Sequence, residues 1–330
     1  MDDPYGHPSL LGLPNDVMAK LMGYLDIQKQ ISLRLVCRQF STSLPIQIHI
    51  LQVIFCSKYA QVHLQNRHGK FLSLEYEHLQ DAWGPCVFVR NMTSSNFKKL
   101  GTGSVGHHLA QFLGRLLSNH NIFVGGLEMD FTSRLRPLSG DPSQFVFEFL
   151  VLLQSKMVTR GSSLPLNHLT MELIPPALIP STVSLFAPVQ LRLNSGIVCC
   201  GIDELVQMPS WQNLRRFHCG TLQAVPQSNH LAQLTEVIIQ VEVVTKADLL
   251  NIRDAFYEYA TLDQFRVYCA KLTFSDIMDA FGSDDQDNLD MALWVWPILG
   301  TEDTLFVNFS EELKFVDFTR SPRRDVITID

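Results

Sequence analysis

Few residues in this sequence have types and spacing that suggest chemistry. Gly101-Thr-Gly103-Ser-Val-Gly106 matches G-x-G-x-x-G, stands before a helical pattern, and has Glu128 22 residues after its last glycine. In a dinucleotide site such glycines lie tightly between a buried strand and a helix, so that backbone N–H groups meet a pyrophosphate. The segment before them, Met92 to Leu100, is polar and strand-poor, so a glycine loop without a ligand is expected. His107-His108 and Cys199-Cys200 are adjacent pairs, whereas ligands that converge on one metal are spaced several residues apart. Asp284-Asp285-Gln-Asp287-Asn-Leu-Asp290 lacks the turn glycine and closing glutamate of a calcium loop and reads as a solvated acidic loop. Trp294 and Trp296 share one strand face and read as core. There is no G-x-S-x-G, phosphate loop or H-E-x-x-H motif. No catalytic residue, cofactor or metal is expected, and the chain reads as a binding protein.

Composition narrows the classes further. The chain has 330 residues, 46% hydrophobic and 18% charged, enough apolar content for one large or two moderate cores. Lys plus Arg is 26 against 33 Asp plus Glu, so no basic excess points to nucleic acid or an anionic membrane. The most apolar run, Phe145 to Leu153, is broken by Glu148 and is too short to span a bilayer. The first residues show no basic flank with an apolar stretch, and the seven cysteines, an odd number, sit mostly in apolar runs. The expectation is a reduced protein in the cytoplasm, the nucleus or both.

These residues need elements to position them. Residues 1–12 form a loose lead-in rich in Pro, Gly and Asp. Leu13-Pro14-Asn15-Asp16 opens a helix whose Val17, Met18, Leu21, Met22 and Leu25 make one apolar stripe. Asp26 can cap a second helix carrying Ile31, Leu35 and Val36, with Phe40 one turn further on. About thirty residues bury too little surface to stand alone, so apolar groups exposed here should seek a partner. From Ile46 the period becomes two, and residues 46–95 read as an antiparallel meander with a turn at Asn66 to Lys70. Beyond it, helices are expected at Leu109 to Leu117, from Asp141-Pro142 to Leu153, and from the capping box Thr245-x-x-Asp248 to Tyr259.

A weak repeat runs through the second half. Leu166-x-x-Leu169-x-Met171, Phe186-x-x-Val189-x-Leu191, Trp211-x-x-Leu214-x-x-Phe217, Leu231-x-x-Leu234-x-x-Val237-x-Ile239 and Leu262-x-x-Phe265-x-Val267 start 20, 25, 20 and 31 residues apart. That spacing is close to leucine-rich repeats, although only Asn194 supplies the repeat's asparagine. Strands at 292–297, 304–309 and 313–318 then read as an antiparallel cap. An ordinary α/β domain with recurring parallel strands is the competing expectation.

Leu13-Pro14-Asn15-Asp16-Val17, Leu21, Tyr24-Leu25-Asp26, Ile31 and Leu35-Val36-Cys37-Arg38-Gln39-Phe40 resemble an F-box. Gln30, where an apolar residue is common, and Phe40, where Trp is frequent, depart from that pattern. Ile202-Asp-Glu-Leu205 with Trp211, Thr245 to Tyr259 and Phe265 to Tyr268 resemble the FTH-type domain of the nematode F-box A group. The resemblance implies an α/β fold: a short helical F-box over 13–45, a β-meander over 46–95, and over 96–330 an irregular leucine-rich-repeat-like solenoid with a β cap. It implies the non-catalytic substrate receptor of an SCF-type cullin-RING ubiquitin ligase. Such a receptor docks a Skp-family adaptor, reaches a cullin through it, and recruits a protein substrate. The alternative is a non-degradative F-box scaffold for a regulatory or RNA-binding protein. By motif position, Leu13, Pro14, Val17, Leu21, Leu25, Ile31, Leu35, Val36, Cys37 and Phe40 would meet the adaptor, some of them holding the helices together instead. Glu172, Arg192, Arg216, Gln240, Arg266 and Tyr268 are the candidates for the substrate face.

Overall fold

The computed structural model describes residues 14–25, 27–36, 46–56, 59–69, 71–81, 84–92, 94, 96–131, 142–158, 161–194, 202–282 and 291–322. The acidic stretch at 284–290, Asp26 and Asp141 lie outside them, as do Cys199 and Cys200. The chain forms two compact units, Met1–Leu169 and Thr170–Asp330.

The first unit opens with helices α1 (Asn15–Tyr24) and α2 (Ile27–Val36). Pro14 sits at the N-cap position of α1, where its missing N–H is no loss, and Asp16 lies in the first turn near the positive helix end. Strands β1 (Ile46–Phe55), β2 (Tyr59–Gln65), β3 (Phe71–Asp81), β4 (Gly84–Asn91) and β5 (Asn96–Gly101) follow, each antiparallel to the one before it. The meander thus gains a strand at residues read from sequence as polar and strand-poor. Their pattern is weak because β5 is an edge strand, exposed over its first four residues. Helix α3 (Val105–Ser118) leads to β6 (Ile122–Asp130), which pairs parallel with β1. Helix α4 (Pro142–Met157) follows, with Phe149 and Leu153 fully buried.

Strand β7 (Leu164–Glu172) carries the chain into the second unit. There β8 (Phe186–Asn194), β9 (Arg216–Leu222), β10 (Glu236–Val241) and β11 (Gln264–Tyr268) pair parallel in sequence order. Short helix α5 (Ile179–Val183) precedes β8, and short α6 (Ile202–Val206) and the longer α7 (Lys246–Glu258) fill connections between these strands. After α8 (Phe274–Phe281), strands β12 (Met291–Pro297), β13 (Asp303–Ser310) and β14 (Phe315–Pro322) are antiparallel, and β14 closes against β11. The Thr245–Asp248 capping box forms as its spacing predicts, and a second one, Thr273–Asp276, starts α8.

Burial shows which residues carry the strand pattern. The inward residues follow a-x-x-a-x-a in every parallel strand: Ile48, Leu51, Val53 in β1 and Val124, Leu127, Met129 in β6. Leu166, Leu169, Met171 continue it in β7, and Pro188, Leu191, Leu193 in β8. Leu214, Phe217, Cys219, then Leu234, Val237, Ile239, then Leu262, Phe265, Val267 complete it. Val189, read from sequence as an inward repeat position, is 45% exposed, and the frame at β8 is shifted by two residues. Phe186 and Pro188 are both buried, so a frame begun at Phe186 puts the double outward step at 187–188 instead of 189–190. Of the C-terminal tryptophans, Trp294 is buried and Trp296 half-buried, both against Phe281 at centroid distances of 5.8 and 5.3 Å.

Candidate adaptor and partner surfaces

The apolar stripe of α1 divides into two sides. Met18 and Met22 turn inward, and Leu25 and Leu33 pack against them. Val17, Leu21 and Ile31 are 36%, 42% and 40% exposed, and Pro14 is exposed beside them in sequence. Leu25 is therefore part of the small internal cluster, while Pro14, Val17, Leu21 and Ile31 are open. Leu35 and Val36 lie in α2 with side chains outside the description, and Leu13, Cys37 and Phe40 lie outside the described residues.

Two polar side chains fasten these helices to the sheet. Gln30 is fully buried; its Nε2 donates to the Leu25 carbonyl at 3.0 Å and its Oε1 accepts from the Gln47 backbone N–H at 3.2 Å. The departure from the apolar residue common at this position thus satisfies a helix-end carbonyl and a strand donor together. Asn66, 1% exposed, donates to the same Leu25 carbonyl at 2.8 Å, and Tyr24 stacks on His68 at 4.4 Å. None of Gln30, Asn66 and Tyr24 stood among the candidate residues. Only the polar residue in an otherwise apolar motif marked Gln30 out.

Beside this junction a cleft of ≈ 270 Å³ is lined by Gln47, His49, Arg67, Phe123 and Asn167, with Gly125 at its wall. A Cβ at Gly125 would stand 2.8 Å from the His49 carbonyl oxygen, so the close strand approach requires glycine.

Five of the six partner candidates, Arg192, Arg216, Gln240, Arg266 and Tyr268, occupy three cross-strand rows on the outward face. The first row runs Gln190, Arg216, Glu236, Gln264; the second runs Arg192, His218, Ile238, Arg266, Asp317; the third joins Gln240, Tyr268 and Phe315. Most of their charges are matched. Glu236 takes Arg216 at 3.5 Å and His218 at 2.7 Å, while the buried Asp317 accepts from Arg266 at 2.7 Å and Gln264 at 3.0 Å. That carboxylate bond raises the Arg266 guanidinium above its ordinary value, and its carbon lies 5.0 Å above the Phe315 ring. Arg192 and Gln240 are exposed. Glu172 ends β7, half-buried. His218, Glu236 and Asp317 were absent from the candidates because cross-strand partners become visible only with the register.

The glycine motif is a strand-to-helix turn. Gly101 and Gly103 have φ of +122° and +125°, and the Ser104 Oγ accepts the His107 N–H at 3.0 Å, capping α3. The strand before the turn is an antiparallel edge, and the Glu148 carboxylate accepts from Ser104 at 3.1 Å beside the helix N-terminus. A phosphate there would meet that negative charge and lack the central parallel strand of a dinucleotide site. Among the described residues no three His, Cys, Asp or Glu side chains form a metal-binding group, and no helix is long and apolar enough to cross a membrane.

The F-box domain model matches residues 10–44 and the FTH domain model matches residues 151–284. No curated protein and no solved structure matches the chain. The chain thus has the architecture of an N-terminal F-box domain followed by an FTH domain.

Proposed function

We propose that this chain is the substrate-recognition subunit of an SCF-type cullin-RING ubiquitin ligase. The F-box match supports docking on a Skp-family adaptor and, through it, on a cullin. The observation that carries the reading is that Pro14, Val17, Leu21 and Ile31 are open on helices whose own small core is formed by Met18 and Met22. Burying two half-exposed aliphatic side chains at the adaptor contributes about 1–2 kcal/mol each. Leu13, Leu35, Val36, Cys37 and Phe40 are nominated for adaptor contact by their place in the motif alone.

The FTH domain is the substrate-binding region in this reading. The buried a-x-x-a-x-a frame of β8 to β11 supports a leucine-rich-repeat-like arrangement, with β12 to β14 as its cap. The outward rows would then meet the substrate, with Arg192 and Gln240 as open polar contacts around Arg216, Arg266 and Tyr268, and Glu172 at one side. The chain would do no covalent chemistry; it would hold a substrate lysine near the charged ubiquitin-conjugating enzyme, a proximity effect. Such a role implies action in the cytoplasm or nucleus.

Co-expression of the full chain with a Skp-family adaptor, followed by size-exclusion chromatography, tests the first step. Co-elution is expected for the native chain and should weaken about 100-fold with Val17→Asp and Leu21→Asp together, whereas Arg192→Glu should leave it unchanged. Undiminished co-elution of the double variant would remove the adaptor from these side chains.

A further inference from the structure

The cleft beside the F-box junction differs in character from the chain around it. The sequence holds 33 acidic against 26 basic residues, yet among the described residues none that lines this cleft is acidic. Among the described residues, no hydrogen bond or ion pair holds the side chains of Gln47, His49, Arg67 or Asn167. Phe123, 62% exposed, stands beside Gln47 in the parallel pairing of β1 with β6. The backbones that present these groups are tied down. The Gln47 N–H is held by Gln30 at 3.2 Å, and Arg67 sits in the β2–β3 turn that Asn66 closes by accepting from the His68 N–H at 3.0 Å and the Gly69 N–H at 3.2 Å. Gly125 leaves the wall between His49 and Asn167 without a side chain, and its missing Cβ would lie 3.7 Å from the Asn167 Nδ2. Groups offered from strands and a closed turn lose little freedom when a ligand arrives.

We propose that this cleft binds a protein segment through one Asp or Glu side chain, with an apolar neighbour of that residue resting on Phe123. Charge and size select this occupant. Arg67 is the one permanent cation among the described lining residues, and its planar fork pairs with a carboxylate in bidentate geometry. The amides of Gln47 and Asn167 and the ring of His49 can donate to the same carboxylate or to the peptide groups beside it. A phosphorylated side chain brings close to two negative charges, more than a single guanidinium matches. At ≈ 270 Å³ the cleft falls below the roughly 300–1,000 Å³ of small-molecule sites, so one or two side chains fill it rather than a cofactor. The exposed Phe123 ring supplies apolar contact that a free carboxylate ion could not use. The site lies within the first unit and needs neither the open side chains of α1 and α2 nor the outward rows of the second unit.

Fluorescence anisotropy of the full chain with a peptide carrying an uncharged dye tests this. The probe is Gly-Ser-Phe-Glu-Phe-Ser-Gly, blocked at both ends so that the Glu side chain is its only carboxylate. It should bind about tenfold or more tightly than its Gln counterpart, the difference a charge-assisted hydrogen bond makes. Arg67→Gln should erase that difference, and Phe123→Ser should weaken both peptides alike, by about fivefold. Both variants replace exposed residues, so thermal stability should stay nearly unchanged. Equal binding of the Glu and Gln peptides to the native chain would overturn the proposal, as would a preference that survives Arg67→Gln. No binding by the folded native chain up to about 1 mM peptide would overturn it too. A phosphoserine peptide held about tenfold more tightly than the Glu peptide would assign the cleft to phosphorylated segments and equally overturn it. Arg67→Gln should leave adaptor co-elution intact, and the chain with Val17→Asp and Leu21→Asp should keep its peptide affinity, so this inference and the ligase reading fail separately.

Discussion

The F-box helices and the strand face of the second unit each offer a surface, yet they stand on unequal foundations. Across α1 and α2 the buried apolar side chains are Met18, Met22 and Ile27, among residues whose side chains are described. Each strand from β8 to β11 buries an inward set in register, and their outward face is left mostly to Arg, Glu, Gln and His, with Val189, Ile238 and Tyr268 among them. Where the core takes nearly every apolar residue, the remaining face is polar and its charges pair. Where the core takes few, apolar residues remain outside, and polar bolts at Gln30 and Asn66 hold the element in place. An apolar docking ridge and a weak intrinsic core are thus two aspects of one arrangement.

The comparison breaks most visibly at Arg320. Its guanidinium, 7% exposed, donates to the Ala260 carbonyl at 2.9 Å, to Tyr259 at 3.0 Å and to Phe256, tying β14 to the open carbonyl end of α7. Arg320→Met leaves those carbonyls without this donor and should lower the stability of the second unit by about 3 kcal/mol in urea unfolding. Adaptor co-elution should persist, because the α1 and α2 contacts belong to the other unit. Loss of both together would mean that the two units unfold as one.

A smaller effect is expected at the bolt. Gln30→Leu restores the apolar character common in the motif but strands the Gln47 N–H and removes one of two donors to the Leu25 carbonyl. It should destabilise the first unit by about 1–2 kcal/mol and loosen α1 and α2 before the meander, read as faster hydrogen exchange in residues 15–36. Unchanged exchange would show that the Asn66 bond and the Met18–Met22 cluster suffice to hold the pair.

How legible each region was from its sequence follows from the same contrast. The helix starts were readable because capping is local: Thr245 and Asp248 are three residues apart and bond to each other. The antiparallel meander was readable because alternation survives in β2, whose Ala60, Val62 and Leu64 are buried in turn. The strand frame at β8 was not, since Val189 is apolar yet outward, and only neighbouring strands decide which side is buried. Glu236 meets His218 from 18 residues away and Asp317 meets Arg266 from 51, distances at which spacing carries no signal. In the F-box the motif named the adaptor candidates but did not sort Leu25, an internal contact, from Leu21, an open one.

The least expected change comes from acid, and it separates the two units by pH window. His63, half-buried in β2 with its Nδ1 2.9 Å from the Ser73 hydroxyl, has its basicity lowered by burial below the ordinary 6.5. The unfolded chain therefore takes up that proton first, so stability present above pH 6.5 declines as pH falls toward the folded value. Asp276 lies in the other unit, and its bonds from Thr273 hold the carboxyl below 3.8. Its contribution is present above that value and is lost only as pH falls through the lower folded one. Mild acidification should thus loosen β2 and β3 while α8 keeps its cap. Hydrogen exchange, corrected for intrinsic chemistry, should show protection of residues 59–81 falling as pH is lowered through the ordinary histidine value of 6.5, with α8 unchanged. His63→Gln should remove most of that fall. An equal fall in the variant would move the acid sensitivity of the first unit away from β2.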